Sequence, residues 1–285
     1  MLTDQTLATH NIAIIGAGTM GRAIATGMAR ANIIAPERLA IADRTVACAE
    51  SLAQQLGARA VHRNAEACRD AEIVILCVKP NDMAAVLHDL KDRDALWPRA
   101  TIISIAAGVT TAMIEQWTGS AVAVVRAMPN TPCMIGKGMT VLARGTHATD
   151  EHLAIAHTIF STLGRCITLE EKHMNVVTSL SGSGPAFIYV MMESLADGAV
   201  MCGLPRHVAT EMVAQVALGS AEMVLDSGKH PSALKDDVTT PGGCTIAGLL
   251  TLEDGKIRSV LARAVECAAN VAGGLGGGQV VATVK

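Results

Sequence analysis

I-A-I-I-G-A-G-T-M-G, residues 12–21, decides the fold. Ile12, Ile14 and Ile15 form a short apolar run of the kind that makes a buried strand. Gly16, Gly18 and Gly21 follow in G-x-G-x-x-G spacing, and the apolar, alanine-rich segment from Met20 to Ala31 reads as a helix. Strand, tight glycine turn and helix N-terminus together build a site for a dinucleotide pyrophosphate. Gly16 permits the turn, Gly18 lets the backbone approach the phosphates, and Gly21 lets the helix pack close to the strand. Thr19 and Met20 open the helix, where free N–H groups and the helix dipole favour negative charge. A glycine turn without a ligand is the competing reading, and the flanking strand and helix weigh against it.

Outward from this stretch, strand-like runs fall at 11–16, 38–43, 72–78, 101–105, 121–127 and 139–143. Helix-like segments lie near 20–31, 45–56, 64–70, 82–91 and 110–117. The alternation predicts an α/β class: a Rossmann-type, doubly wound and mostly parallel sheet. The unbroken apolar run I-V-I-L-C-V, Ile73–Val78, suits a strand covered on both faces. A helix over 149–163, with Thr149 as N-cap and Asp150 and Glu151 in its first turn, leads to a last strand, Cys166–Leu169. Beyond it the apolar spacing becomes helical at 170–180, 185–203, 205–227 and 245–272, with Pro185 and Pro205 at helix starts. The expected domains are 1–169, dinucleotide-binding, and 170–285, all-helical. The glycine run from Gly273 to Gly278 is expected to be a non-helical, flexible tail.

Composition narrows the function. Half of the 285 residues are hydrophobic but only 2% are aromatic, which leaves little to stack on bases. A net charge of −3 without a basic run gives no footprint for nucleic acid or an anionic membrane. The longest uncharged stretch, Met174–Met192, is broken by serines, glycines and a proline and does not read as a membrane span. The eight scattered cysteines lack C-x-x-C or Cys/His spacing; they read as buried or semi-buried thiols of a cytoplasmic protein, with no metal site. The N-terminus has neither the basic region nor the apolar core of a secretion signal.

Cofactor choice is written at the end of the second strand, I-A-D-R-T, Ile41–Thr45. An acidic residue there selects NAD, whereas an arginine accommodates the 2′-phosphate of NADP. Asp43 would repel that phosphate if it pointed inward, and Arg44 with Thr45 could clamp it. The balance favours NADPH and leaves NADH open. Asn64 follows the third strand; Val78, Lys79 and Pro80 end the fourth; Ala106 and Gly108 lie at the end of the fifth. These carboxyl ends line the cofactor crevice of a doubly wound sheet. Pro80 restricts Lys79 to extended backbone, which suits main-chain contact with the nicotinamide half.

Three further segments combine small and rigid residues: R-A-M-P-N-T-P (126–132), S-L-S-G-S-G-P-A (179–186) and V-T-T-P-G-G-C-T-I-A-G-L-L (238–250). The last two place small residues before a helix, an end suited either to ordinary capping or to receiving a carboxylate. With I-G-A-G-T-M-G (15–21), V-K-P (78–80), S-I-A-A-G-V (104–109) and H-P-S-A-L-K-D (230–236), they make the chain resemble the pyrroline-5-carboxylate reductase family over nearly its whole length. The glycine-rich tail lies outside the resemblance. What the resemblance implies is an NAD(P)H-dependent reduction of 1-pyrroline-5-carboxylate to L-proline, the last step of proline biosynthesis. It also implies a helical dimerisation domain, a homodimer with shared active sites, and assembly of dimers into a larger homo-oligomer. Thr240, Gly242, Gly243, Cys244 and Thr245 would then hold the substrate, with Thr245 as the catalytic hydrogen-bond donor to the ring nitrogen.

No His, Asp or Glu stands in the three substrate segments. Ketone reduction usually wants a strong acid nearby, whereas an imine can arrive protonated and asks mainly for positioning. Two other classes stay in view. A β-hydroxyacid dehydrogenase would carry a helical Lys with an Asn four residues on; Lys172 and Asn175 are three apart. A non-catalytic nicotinamide-sensing protein would need no small-residue loops in its second half.

Overall fold

The structure, a computed structural model, describes residues 7–96, 100–119 and 121–275. The described chain forms two compact units. One runs to Ser183 and takes in the stretch from Glu266; the other is Gly184–Val265.

The first unit is built on an eight-stranded sheet, β1 (Ile12–Ile15), β2 (Leu39–Ala42), β3 (Arg59–Val61), β4 (Ile73–Leu76), β5 (Thr101–Ser104), β6 (Ala123–Met128), β7 (Gly138–Arg144) and β8 (Gly164–Thr168). Their order is β3-β2-β1-β4-β5-β6-β7-β8. Every neighbouring pair is parallel except β6 with β7. A 3₁₀ turn at Thr131–Ile135 makes the short reversal that an antiparallel pair allows. The order reverses between β1 and β4, and such a switch point is where doubly wound sheets open a ligand crevice.

Strand periodicity sorts the core onto two faces. Ile12 and Ile14 join Ile24, Met28, Leu52 and Phe160 under α1 (Thr19–Arg30), α2 (Val46–Leu56) and α6 (Asp150–Ser161). Ala13 and Ile15 point the other way, to Met83, Leu87 and Ile114. That face is covered by α3 (Asn64–Cys68), α4 (Pro80–Asp92) and α5 (Thr111–Thr118). Each fully buried Ile or Leu contributes about 1.5–3 kcal/mol, so the sheet is the main reservoir of stability. Helix α1 comes so close to the turn before β8 that a Cβ on Gly27 would lie 2.2 Å from Leu163 Cδ2.

The remaining helices are α7 (Met174–Val177), α8 (Gly184–Met201), α9 (Arg206–Ser227), α10 (Pro231–Asp237), α11 (Cys244–Asp254) and α12 (Ile257–Gly274). Four details differ from the sequence expectation. β3 is a short strand with two exposed residues and so carries no apolar run. The helix expected over 170–180 is a 3₁₀ turn, a single α turn and a π-helix at Thr178–Ser183. The helix expected over 245–272 breaks at Gly255, and Lys256 adopts φ 55°. Gly273 and Gly274 end α12 rather than starting a loose tail, and residues 276–285 lie outside the described residues.

All eight cysteines are free. Burial pushes the Cys68 thiol up to about 12, the behaviour of an inert core thiol. Cys202, Cys244 and Cys267 are exposed, contrary to the expectation of burial, and lie on helices or the turn that follows one.

Candidate active site

The glycine loop has the geometry its spacing predicts. Gly16 sits at φ 106°, and a Cβ there would meet Cys77 C and O at 2.8 Å. A Cβ on Gly21 would lie 1.9 Å from Gly16 O. Gly18 differs: a Cβ there would meet nothing within 4 Å. The protein's own packing therefore demands Gly16 and Gly21, whereas the space at Gly18 is open to a ligand. Gly18 is the N-cap of α1 and supplies no side-chain cap, and Gly18 and Thr19 are exposed. The first N–H groups of α1 are thus available to an anion. A cleft of ≈ 400 Å³ continues from Gly18 and Thr19 along α1, past Arg22, to Met134 and Gly136.

Parallel pairing brings the other expected cofactor residues to the same carboxyl edge. Arg44 follows β2; its side chain is 86% exposed and 3.9 Å from the Asp82 carboxylate. Asn64 is half-buried and opens α3 after β3. Val78 is half-buried, and Lys79 is the exposed N-cap of α4 with extended backbone (φ −65°, ψ 150°). Pro80 starts that helix. Ala106 is buried, and Gly108 turns the chain at φ 75°.

Sequence reading gave none of the contacts that Asp43, Glu171 and Asn130 make here. Asp43 accepts from Ala17 N through Oδ2 and from Thr45 N through Oδ1, both at 2.7 Å. Glu171 accepts from Thr111 N (2.8 Å), Thr111 Oγ1 (2.6 Å) and Arg126 Nη1 (3.3 Å). Arg126 is 1% exposed, and its Nε and Nη2 find no hydrogen-bond partner among the described residues. Burial lowers the pKa of this guanidinium, and the Glu171 charge opposes that shift. Asn130, from the two-proline loop, donates through Nδ2 to Ser181 O (3.2 Å) and accepts through Oδ1 from Met139 N (2.9 Å). Pro185 has no N–H to offer the Ser181 carbonyl four residues back, so the Asn130 amide serves an acceptor that an α-helix would have used. A π turn, Thr178–Ser183, adjoins this junction. The signal for Asn130 was its place between two prolines; nothing in the sequence pointed to Glu171.

In the second unit, Thr240–Thr245 forms a turn into α11. Gly242 lies at φ 70°. A Cβ on Gly243 would collide with Thr240 Oγ1 at 2.5 Å, and Gly243 N donates to Thr240 O at 3.1 Å. Gly243 caps α11 without a side chain, leaving the first N–H groups at Cys244 and Thr245 free of a side-chain cap. Cys244 is exposed and Thr245 half-buried.

The family description "Pyrroline-5-carboxylate reductase dimerisation" matches residues 171–275, and "NADP oxidoreductase coenzyme F420-dependent" matches 11–108. A pyrroline-5-carboxylate reductase of Arabidopsis thaliana is 38% identical, over 90% of this chain and 92% of that protein. One from Methanosarcina acetivorans is 41% identical, over 90% and 94%. The chain belongs to the pyrroline-5-carboxylate reductase family. Solved structures of the family agree in fold. The Coxiella burnetii reductase gives a TM-score of 0.87 at 34% identity, covering 94% of this chain and 98% of its own. A Plasmodium falciparum reductase solved with NADP bound gives 0.85 at 31%, covering 95% and 99%. Among the described residues, no cluster of His, Cys, Asp or Glu is arranged to hold a metal.

Proposed function

We infer that the chain reduces 1-pyrroline-5-carboxylate to L-proline with NADPH, and with NADH as a second donor. The observation that carries this reading is near full-length identity of 37–41% to reductases of this name, combined with a glycine loop whose open Gly18 fits a dinucleotide. Bound NADPH supplies the hydride that reduces the C=N carbon. Gly16, Gly18, Thr19, Met20 and Gly21 hold the pyrophosphate on the α1 N-terminus. Arg44 takes the 2′-phosphate, leaving its long, exposed contact to Asp82, and Asn64 lies toward the same adenosine end. Val78, Lys79, Pro80, Ala106 and Gly108 present backbone to the nicotinamide half.

Thr240, Gly242, Gly243 and Cys244 receive the substrate carboxylate at the uncapped α11 N-terminus, and the Thr245 hydroxyl hydrogen-bonds the ring nitrogen. A protonated imine loses its positive charge on accepting hydride, so no strong acid is needed and alignment accounts for most of the rate gain. The functional division falls at 169/170, beside the start of the matched dimerisation region at 171. Homodimers share these sites, each turn at 240–245 completing the partner's crevice, and dimers associate further. The chain works in the cytoplasm, where its eight free thiols suit reducing conditions.

The test is oxidation of NADPH, followed by absorbance, on adding the cyclic imine, with proline identified as product. Thr245→Ala should lower kcat about 10²-fold or more, the range for a positioned group that hydrogen-bonds the reacting atoms, while NADPH affinity stays within twofold. Unchanged kcat would remove Thr245 from this role.

A further inference from the structure

We propose that Asp43 is a positioning residue for the glycine loop and not a reader of the ribose. The inference rests on the reading of that loop as the pyrophosphate site. An acidic side chain at the end of the second strand ordinarily selects NAD through the 2′-hydroxyl. Here each carboxylate oxygen is already committed to main chain at 2.7 Å: Oδ2 to the Ala17 N–H, between Gly16 and Gly18, and Oδ1 to the Thr45 N–H, at the N-cap of α2. The glycine loop has no cap of its own, since Gly18 has no side chain and α1 starts uncapped. Asp43 thus braces the loop from the neighbouring strand end. Ala17 is 3% exposed, so its N–H has little water to turn to if the carboxylate is lost.

Two consequences follow for cofactor choice. The carboxylate is turned into the loop, so it does not confront a 2′-phosphate. Arg44, the next residue, is exposed and held, among the described residues, only by its long contact to Asp82, so it can turn to meet one. An Asp beside an Arg at this position therefore divides the work: Asp43 sets the loop for any dinucleotide, and Arg44 discriminates between the two. Removing Asp43 should harm NADPH and NADH alike.

The experiment is Asp43→Asn in the full-length protein, with NADPH and NADH dissociation constants from fluorescence titration and amide exchange of the cofactor-free protein over peptides covering Ala17 and Thr45. Loss of the charge and of one of the two acceptors, with an NH2 then facing a main-chain N–H, should weaken both cofactors about tenfold or more, by factors agreeing within threefold. Exchange at Ala17 and Thr45 should accelerate, and kcat at saturating cofactor should hold within threefold. Asp43→Ser keeps one short acceptor and should give the same pattern. Selective weakening of NADH with exchange unchanged would make Asp43 a ribose reader and overturn the proposal; so would tighter NADPH, which would mean that Asp43 repels the phosphate. Arg44→Ala separates the parent reading, because it should weaken NADPH alone. Equal loss of both cofactors there would sink the Arg44 role without touching the Asp43 result.

Discussion

At the scale of the residue, the three loop glycines are not equivalent, although the motif writes them alike. Gly21 is set by contact: its Cα faces the Gly16 carbonyl so closely that a methyl group would lie 1.9 Å from it. Backbone must move to admit one, at a cost of about 1–3 kcal/mol or more. Gly18 has ordinary dihedrals (φ −69°, ψ −168°) and open surroundings. Gly21→Ala should therefore lower the Tm of the cofactor-free protein by several degrees. Gly18→Ala should change unfolding free energy by only about 0.5 kcal/mol, as a surface substitution does, and yet weaken NADPH about tenfold or more, because its methyl fills the approach to the phosphates. Thermal unfolding and fluorescence titration of the two variants check this. Full NADPH affinity in Gly18→Ala would move the pyrophosphate elsewhere.

At the scale of the element, Glu171 ties a 3₁₀ turn to the start of α5 and to β6 through one carboxylate. Its partner Arg126 is buried with two nitrogens unsatisfied among the described residues, so the pair's worth depends on both members being present. Glu171→Ala leaves a buried, uncompensated charge and should cost about 3–5 kcal/mol. Glu171→Ala with Arg126→Met should regain most of that loss, and denaturant unfolding of the single and double variants measures it. If the double variant is no better than the single, Arg126 is not destabilising when alone. The same elements show where sequence patterns stop being readable. Strands buried on two faces were legible as apolar runs, and the glycine loop as spacing. β3 was not, since a strand of three residues at the sheet edge, two of them exposed, has no apolar signature. The π turn at 178–183 was not, because the amide that hydrogen-bonds Ser181 there stands 51 positions away in sequence, where no local pattern reports it. Asp43 was legible as a charge at the right place, but its direction was set by an Ala17 N–H that no pattern reports.

At the scale of the whole molecule, the helices after residue 183 are the part that one chain does not finish. Only Ala196 is buried in α8 and only Ala209 in α9. Tyr189, Val190, Val216 and Met201 are 59%, 62%, 63% and 86% exposed. By length and composition α9 is apolar enough to cross a membrane, with 6% of its apolar window buried in the chain itself. Exposed apolar surface on this scale marks an interface, and the match of 171–275 to a dimerisation family names its kind. The proposed dimer gives the exposed faces of α8 and α9 a protein partner, a second copy of this chain. If so, stability is linked to association, and the Tm should rise with protein concentration over the range where dimers form. Val216→Glu on α9 places a charge where the partner should pack, and burying it unpaired would cost several kcal/mol. Sedimentation should then show dimer association weakened at least about 100-fold, the equivalent of about 2.8 kcal/mol at about 1.4 kcal/mol per decade. Under the proposed sharing of sites turnover should fall with it, while NADPH affinity of the sheet unit should hold within threefold. A Val216→Glu protein that sediments as a monomer and keeps full turnover would show that one chain suffices for catalysis; one that remains dimeric would move the interface off α9.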